Sequence, residues 1–365
     1  MDDSPLEAEI RRLIKVAGPM PVSQYMALCL SHPAHGYYMT RDPLGRGGDF
    51  ITAPEISQMF GELVGLWAAA VWQAMGSPEH IGLVELGPGR GTLMRDALRA
   101  AHVAPDFHAA LAVHLVEISP VLQRLQQQTL GGLGPPVTWH PSLEEAPEGP
   151  LIVIANEFFD ALPVHQAIKQ IDGWYERVIE IDRVGNLAFG VAADLIPHFD
   201  LLLPPPVRDA PLGAFYEWRD DRAALELGRR IARARGAALV IDYGYLASAP
   251  GETLQAVGEH AFANPLGAPG VVDLTAHVDF QALAHAVESM GARAHGPLTQ
   301  GEFLRRLGIA ARAATLKAGA TDDDAAEIDA ALARLTGGGK TGMGELFKVI
   351  AFAHPALKSL PGFEP

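Results

Sequence analysis

The sequence predicts an α/β protein built on a mostly parallel sheet with helices on both faces, and three observations lead there. From about residue 81, short apolar runs alternate with helical stretches: IGLVELG, AVHLVEIS, PVTWH and LIVIANE, then much later AALVIDYG and LFKVIAFA. The first run, Ile81 to Leu86, passes through Gly87, Gly89 and Gly91 into a helical stretch from Thr92 to Ala101. A chain of 365 residues, 48% of them hydrophobic, can bury one large core or two modest ones, which sets aside disordered and fibrous classes.

Taken in order, residues 1–78 read as a helical region broken by SHPAHGYYMTRDPLGRGGDFITAPE, a loop too rich in Gly, Pro and aromatics to be a mere connector. Within it, MFGELVGLWAAAVWQAM is interrupted by Glu62 and Gln73 and is shorter than a bilayer requires, so a buried helix is expected and no membrane span. Residues 79–160 form the first part of the sheet domain. An insertion, 161–235, holds a hairpin pattern in WYERVIEIDRVGNLAFG and the Pro-rich link LLLPPPVRDAP. At the carboxyl edge of such a sheet it is expected to build a second, substrate-side wall of a site. Residues 236–365 complete the sheet domain, with Asp279 as a helix N-cap and Gly291 as the matching C-terminal residue.

A formal charge of −15 and the lack of a basic stripe interleaved with aromatics set nucleic acid aside as a partner; cationic or neutral substrates are easier to accommodate. The single cysteine, Cys29, excludes an internal disulfide framework or a Cys-based zinc cluster and reads as a buried core thiol in a reducing compartment. His32 and His35 have no further ligands grouped with them, so no metal is expected. The opening MDDSPLEAEIRRLIKVAG lacks the pattern of a signal or transit peptide, which predicts a cytoplasmic protein. LTGGGKTGMGE imitates a phosphate loop, but Arg334 stands where the first glycine is needed and a helical stretch precedes it, so a flexible loop is expected.

Strand, glycine turn and helix N-terminus bring free amides and a positive dipole end to one point. A dinucleotide turn needs G-x-G-x-x-G, and Thr92 stands at the third small position. Glu85, two residues before the first glycine, suits a cationic amino-acid moiety better than a pyrophosphate. The acid-x-G-x-G-x-G pattern resembles the cofactor turn of class I S-adenosylmethionine-dependent methyltransferases. Glu117, at the end of HLVEIS, is placed to accept ribose hydroxyls, a role shared with NAD enzymes. A dinucleotide site and a ligand-free turn remain the alternatives.

A second constellation follows the fourth run. In NEFFDALPVHQ, Asn156, Glu157 and Asp160 arrive with Phe158 and Phe159 beside the presumed cofactor. For a guanidinium acceptor, Glu157 and Asp160 are candidates to hold the fork and either phenylalanine to cover its face. Alternatively Asp160 caps a short helix and the phenylalanines fill the core. Asp273 and His277, which lie before the Asp279 cap, are further candidates to line a site.

GDFITAPEIS, ELGPGRGTL, VEISP, NEFFDALPVHQ, IDYG, PGVVDLTAHVDF and MGELFKV, in order from about residue 5 to 352, together resemble the MidA family. Its members are bacterial and mitochondrial methyltransferase-like proteins tied to assembly of respiratory complex I. The resemblance implies a Rossmann-like, seven-stranded class I methyltransferase core and S-adenosylmethionine as cofactor. For mitochondrial members it implies symmetric dimethylation of an arginine on a complex I subunit, so the partner expected is a protein. Carried over, the cofactor turn is Glu85, Gly87, Pro88, Gly89, Gly91 and Thr92, and the ribose acid is Glu117 with Ile118 beside it. Gly48, Asp49, Phe50 and Thr52 would close over the donor, Ser142 or Leu143 would touch adenine, and Asn156 and Glu157, with Asp160, would sit at the transfer site. GETLQAVGEHAFANPL is less basic than the resemblance leads one to expect at that place, a departure that touches substrate docking more than cofactor binding. The expected function is thus a methyltransferase acting on a protein arginine, with a non-catalytic assembly chaperone or a small-molecule methyltransferase as alternatives.

Overall fold

The computed structural model describes residues 4–42, 52–258, 261–339 and 341–364. The N-terminal region supplies α1 (Pro5–Ala17), β1 (Met20–Pro21), α2 (Val22–Ser31), α3 (Tyr37–Thr40), α4 (Ala53–Ile56) and α5 (Gln58–Ala74). Ser4 caps α1 by accepting the Glu7 amide, and Cys29 is buried in α2. No helix among the described residues is long and apolar enough to cross a membrane.

The sheet domain follows with β2 (Ile81–Leu86), α6 (Thr92–Ala101), α7 (Pro105–Ala110), β3 (Leu111–Val116), α8 (Pro120–Leu130), β4 (Val137–His140) and β5 (Leu151–Asn156). The chain then leaves through β6 (Val164–Gln170), β7 (Gly173–Ile181), β8 (Leu187–Leu195), α9 (Pro205–Arg208) and β9 (Phe215–Arg219). It returns with α10 (Arg222–Ala234) and β10 (Ala237–Tyr245). A small excursion gives β11 (Gln255–Gly258), β12 (Ala261–Ala263), β13 (Asp273–Thr275) and β14 (Val278–Asp279). The chain closes with α11 (Phe280–Ser289), β15 (Arg293–Thr299), α12 (Gln300–Arg306), α13 (Ile309–Lys317), α14 (Asp322–Thr336) and β16 (Phe347–Ala353).

The main sheet runs β15-β16-β10-β5-β2-β3-β4, with β14 pairing beside β10. From β10 to β4 the strands are parallel; β16 is antiparallel to both its neighbours. Seven strands thus share one path, and the two-residue β14 makes the sheet eight-stranded rather than the seven expected. Its central strands are buried on both faces: Ile152 and Ile154 join the core under α5 and α6, while Val153 and Ala155 join the core under α10 and α11. Double burial is why these strands read as continuous apolar runs.

The stretch after Asp160 forms an antiparallel sheet, β1-β7-β6-β9 with β8 on β7, so the expected hairpin is present and the N-terminal Met20 and Pro21 pair with it. Helix α10, at the end of this stretch, packs Ala224, Leu227 and Ile231 onto the main sheet. A third sheet, β12-β11-β13, was not anticipated, and neither was β15. RAHGPLT has no apolar alternation and contains Pro297, which an edge strand tolerates. Asp279 caps α11 by accepting the Ala282 amide, and Gly291 adopts φ +94 just beyond its end.

Candidate functional site

Beyond the carboxyl ends of β2, β3, β5 and β10 lies a cavity of about 900 Å3, the place where ligands bind open parallel sheets. Strand β2 delivers Glu85 to it and then turns. Gly87, Gly89 and Gly91 all take positive φ (+60, +54 and +81), a region that favours glycine. The Gly87 amide donates to Val116 O at 3.0 Å, so the turn is tied to the neighbouring strand. A Cβ at Gly87 would lie 3.1 Å from the Phe158 ring, which explains the close approach of turn and phenylalanine. Thr92 opens α6 and donates its hydroxyl to Glu55 Oε1 at 2.5 Å, locking the turn to α4.

Glu117, buried at the end of β3, accepts the Ser119 amide at 2.7 Å through Oε1. Its Oε2 accepts from the Gln126 side chain at 3.1 Å. Gln126 in α8 has no solvent exposure and also donates to Gly89 O at 2.7 Å, while its Oε1 accepts the Trp139 indole N–H at 2.8 Å. One amide therefore joins the glycine turn to the acid on the next strand. The sequence reading missed Gln126, because only the fold brings α8 over the turn.

At the end of β5, Glu157 takes φ +52, an uncommon conformation for a non-glycine residue and a form of strain that clusters at functional sites. Its amide donates to Ile241 O, and its Oε1 accepts from the Asn156 amide at 3.1 Å and the Ala53 amide at 3.4 Å. Asp160 Oδ2 accepts the Tyr243 hydroxyl at 2.6 Å. No helix follows Asp160, so the capping alternative fails. Instead Asp242, fully buried in β10, accepts the Phe159 and Asp160 amides at 3.0 and 3.2 Å and shapes this turn. Phe159 fills the core and Phe158 lines the cavity.

Burial pushes the Glu85 carboxyl up to about 8. Burial and then the charge of Asp160 push Glu157 to about 8 as well. Asp160 and Asp242 are raised by burial, Asp242 further by its acidic neighbours, and Glu117 is raised by burial against the opposing pull of its donors. A cluster of carboxyls in low dielectric resists full ionisation until a cation joins it. Glu85 Oε2, Asn156 Oδ1 and Asp160 Oδ1 are buried with no hydrogen-bond partner among the described residues.

Of the residues singled out in the sequence, Thr52, Glu85, Gly87, Pro88, Gly89, Thr92, Glu117, Ile118, Asn156, Glu157 and Asp160 line this one cavity, as do Asp273 and His277. Gly91 lies one step back, against Gln126. Gly48, Asp49 and Phe50 lie outside the described residues. The structure does not bring Ser142 and Leu143 to the cavity: Leu143 is buried in the core beneath α10 and α11. Tyr38, which donates to Asp273 Oδ2 at 3.0 Å, and Tyr243 are cavity residues that the sequence did not flag. The glycine-rich stretch expected to be a loose loop contributes Thr341, Gly342 and Met343 to the wall.

An acid, a three-glycine turn and a helix after the first strand of a parallel sheet, with a second acid ending the neighbouring strand, define the class of S-adenosylmethionine-dependent methyltransferases. The chain belongs to the family described as "Putative S-adenosyl-L-methionine-dependent methyltransferase", whose pattern matches residues 63–298. It is 38% identical over 375 residues to the Drosophila melanogaster "Protein arginine methyltransferase NDUFAF7 homolog, mitochondrial", covering 95% of this chain and 84% of that protein. The Homo sapiens "Protein arginine methyltransferase NDUFAF7, mitochondrial" is 38% identical over 339 residues, covering 85% and 75%. A crystal structure of a COG1565 superfamily member from Burkholderia thailandensis, bound to S-adenosyl-homocysteine, superposes with a TM-score of 0.85 at 32% identity, over 98% of this chain and 94% of that one. The chain is an S-adenosylmethionine-dependent methyltransferase. The cytoplasmic location expected from the opening residues is corrected by these relatives, whose names place them in mitochondria.

Proposed function

We propose that this methyltransferase acts on a guanidinium nitrogen of an arginine in a protein partner. The observation that carries the reading is the sign of the unsatisfied groups beyond β5: Asn156 Oδ1 and Asp160 Oδ1 are both acceptors, buried beside one cavity. Buried acceptors without donors are costly, and a donor-rich cation relieves the cost. The relatives' names, which specify protein arginine, agree with that chemistry. A subunit of respiratory complex I is the partner that the MidA resemblance implies.

The residues fit S-adenosylmethionine. Glu85 would take the ammonium, the amides of the Gly87–Gly91 turn would meet the carboxylate, and Glu117, held by Ser119 and Gln126, would accept the ribose hydroxyls. When bound, this cofactor supplies an electrophilic methyl group on a sulfonium. The cavity volume lies at the upper end of the usual range of about 300–1000 Å3 for ligand clefts, which leaves space for an acceptor side chain. Glu157 and Asp160 would hold two edges of the guanidinium, and Phe158 would border it. Transfer forms a nitrogen–carbon bond, breaks a sulfur–carbon bond and releases one proton from the nitrogen. Without a cation beside it the Glu157 carboxyl is raised to about 8 and stays largely protonated at neutral pH; the guanidinium charge would draw it to the carboxylate form, which is placed to accept that proton.

In this reading residues 1–78 cover the donor side, 79–160 and 236–365 form the methyltransferase core, and the insertion 161–235 brings Ala161 and Leu162 to the cavity wall. The test is labelling with methyl-tritiated S-adenosylmethionine in a lysate of cells lacking this chain, followed by acid hydrolysis and amino-acid analysis. Label in methylarginine with wild-type protein, and none with Glu157→Gln, is the expected result. Label confined to small molecules, or none with either protein, would refute the reading.

A further inference from the structure

The small sheet β12-β11-β13 stands at the cavity mouth. Gln255 and Val257 of β11, Phe262 of β12, and Asp273 and Thr275 of β13 all line the cavity. Register explains this: Val257 lies opposite both Phe262 and Asp273, and Gln255 lies opposite Thr275. Directly opposed residues share a face of a sheet. One face is therefore cavity wall, crossed by the row Phe262, Val257, Asp273.

Strand β12 is the outer edge of this wall. Among the described residues its only ladder is to β11, and Ala261, Phe262 and Ala263 are all exposed. Phe262 is 81% exposed and lines the cavity. Natural sheets blunt such an edge by keeping it very short or with lysine, proline or a bulge, because its outward amides and carbonyls recruit another strand. At three residues β12 is short, but Ala-Phe-Ala carries no lysine, proline or bulge.

We propose that β12 receives the arginine-bearing segment of the protein substrate as an added strand, so that the substrate is recognised in extended form. This rests on the arginine reading of the cavity and deepens it. A substrate residue paired opposite Phe262 falls on the cavity face by the same register rule. An arginine at that position lies across the Phe262 ring, where a guanidinium is attracted to an aromatic face, and its head points over a cavity lined by Asp273, Glu157 and Asp160. Backbone pairing gives affinity without demanding a sequence, and the row of side chains gives the choice of residue. The charge balance of the cavity lining and the chain's net charge of −15 exclude an acidic segment and favour a neutral or basic one. An arginine within a helix cannot dock this way, so the substrate class is an unfolded tail, a nascent segment or an exposed edge strand.

The test uses the full chain saturated with S-adenosylhomocysteine and a short fluorescein-labelled peptide, Gly-Ser-Thr-Val-Arg-Val-Thr-Ser-Gly. A twin peptide carries N-methyl groups on the amides of the arginine and both its neighbours, which removes strand donors and keeps every side chain. Fluorescence anisotropy should show the twin binding at least about tenfold more weakly, the worth of one to two lost hydrogen bonds. Phe262→Ala should weaken the parent peptide about fivefold or more through the lost ring contact. Equal binding of the two peptides, or no binding of the parent, would overturn the proposal. A third peptide with glutamine for arginine separates the two readings. If it binds as well as the parent while N-methylation still abolishes binding, strand docking stands and the guanidinium reading of the cavity fails.

Discussion

Replacing Gln126 by leucine tests whether the glycine turn and the ribose-side acid act as one unit. Gln126 has no exposed surface, and its amide makes three hydrogen bonds: to Gly89 O at 2.7 Å, to Glu117 Oε2 at 3.1 Å and from Trp139 Nε1 at 2.8 Å. A neutral bond contributes about 0.5–1.5 kcal/mol net and one to a charged group about 1.5–3 kcal/mol. Leucine conserves the packing but leaves a carbonyl, a carboxylate and an indole N–H without this partner. The bonds share one side chain and do not add fully, so the expected loss of stability is about 3 kcal/mol. Removing a donor that pulls the Glu117 carboxyl down also moves it further up. Affinity for S-adenosylmethionine should therefore fall about tenfold, with a larger deficit at lower pH, where more Glu117 is protonated. Urea unfolding gives the first quantity and calorimetric titration at two pH values the second. A stability change under about 0.5 kcal/mol, within the range of unremarkable surface substitutions, together with unchanged affinity would refute the linkage.

Three further outcomes follow from the same geometry. The ligand-free protein should lose thermal stability as pH rises, because Glu85 and Glu157 have carboxyls raised from 4.5 to about 8: the stability they contribute is full below their unfolded value and is lost as pH passes through about 8. Melting temperatures between pH 5 and 9, with and without S-adenosylmethionine, check this, and the ligand should flatten the decline by supplying a cation. Gly87→Ala should weaken donor binding and cost about 1–2 kcal/mol of stability, since φ +60 is strained for alanine and its Cβ would meet Phe158 at 3.1 Å; unaltered donor affinity would count against the turn. Glu157→Gln should retain donor binding by calorimetry and reduce transfer about 100-fold or more, whereas equal losses in both would mean a structural role.

The sheet domain was legible because its strands are buried on both faces and therefore announce themselves as apolar runs. Ile81–Leu86, the glycine turn and Thr92–Ala101 coincide with β2, the turn and α6. Turn conformation is local, so glycines and the acid before them could be read directly. Arg293–Thr299 could not, since an edge strand with half-exposed residues needs no apolar pattern. Nor could β11, β12 and β13, which are three or four residues long. Asp242 stood in the IDYG block without a role, because its partners at Phe159 and Asp160 lie across a strand pairing, 83 and 82 residues away. Gln126 was silent for the same reason, and Ser142 and Leu143 follow β4 in sequence without lining the cavity, Leu143 being packed beneath α10 and α11.

The most direct measurement of the central claim is the stoichiometry of transfer. Purified protein is incubated with S-adenosylmethionine and the arginine peptide used for docking, and S-adenosylhomocysteine and methylarginine are both quantified by mass spectrometry. One S-adenosylhomocysteine should appear for each methyl group found on arginine, and both products should disappear together in Glu157→Gln. S-adenosylhomocysteine without methylarginine, or saturable donor binding with neither product, would contradict it.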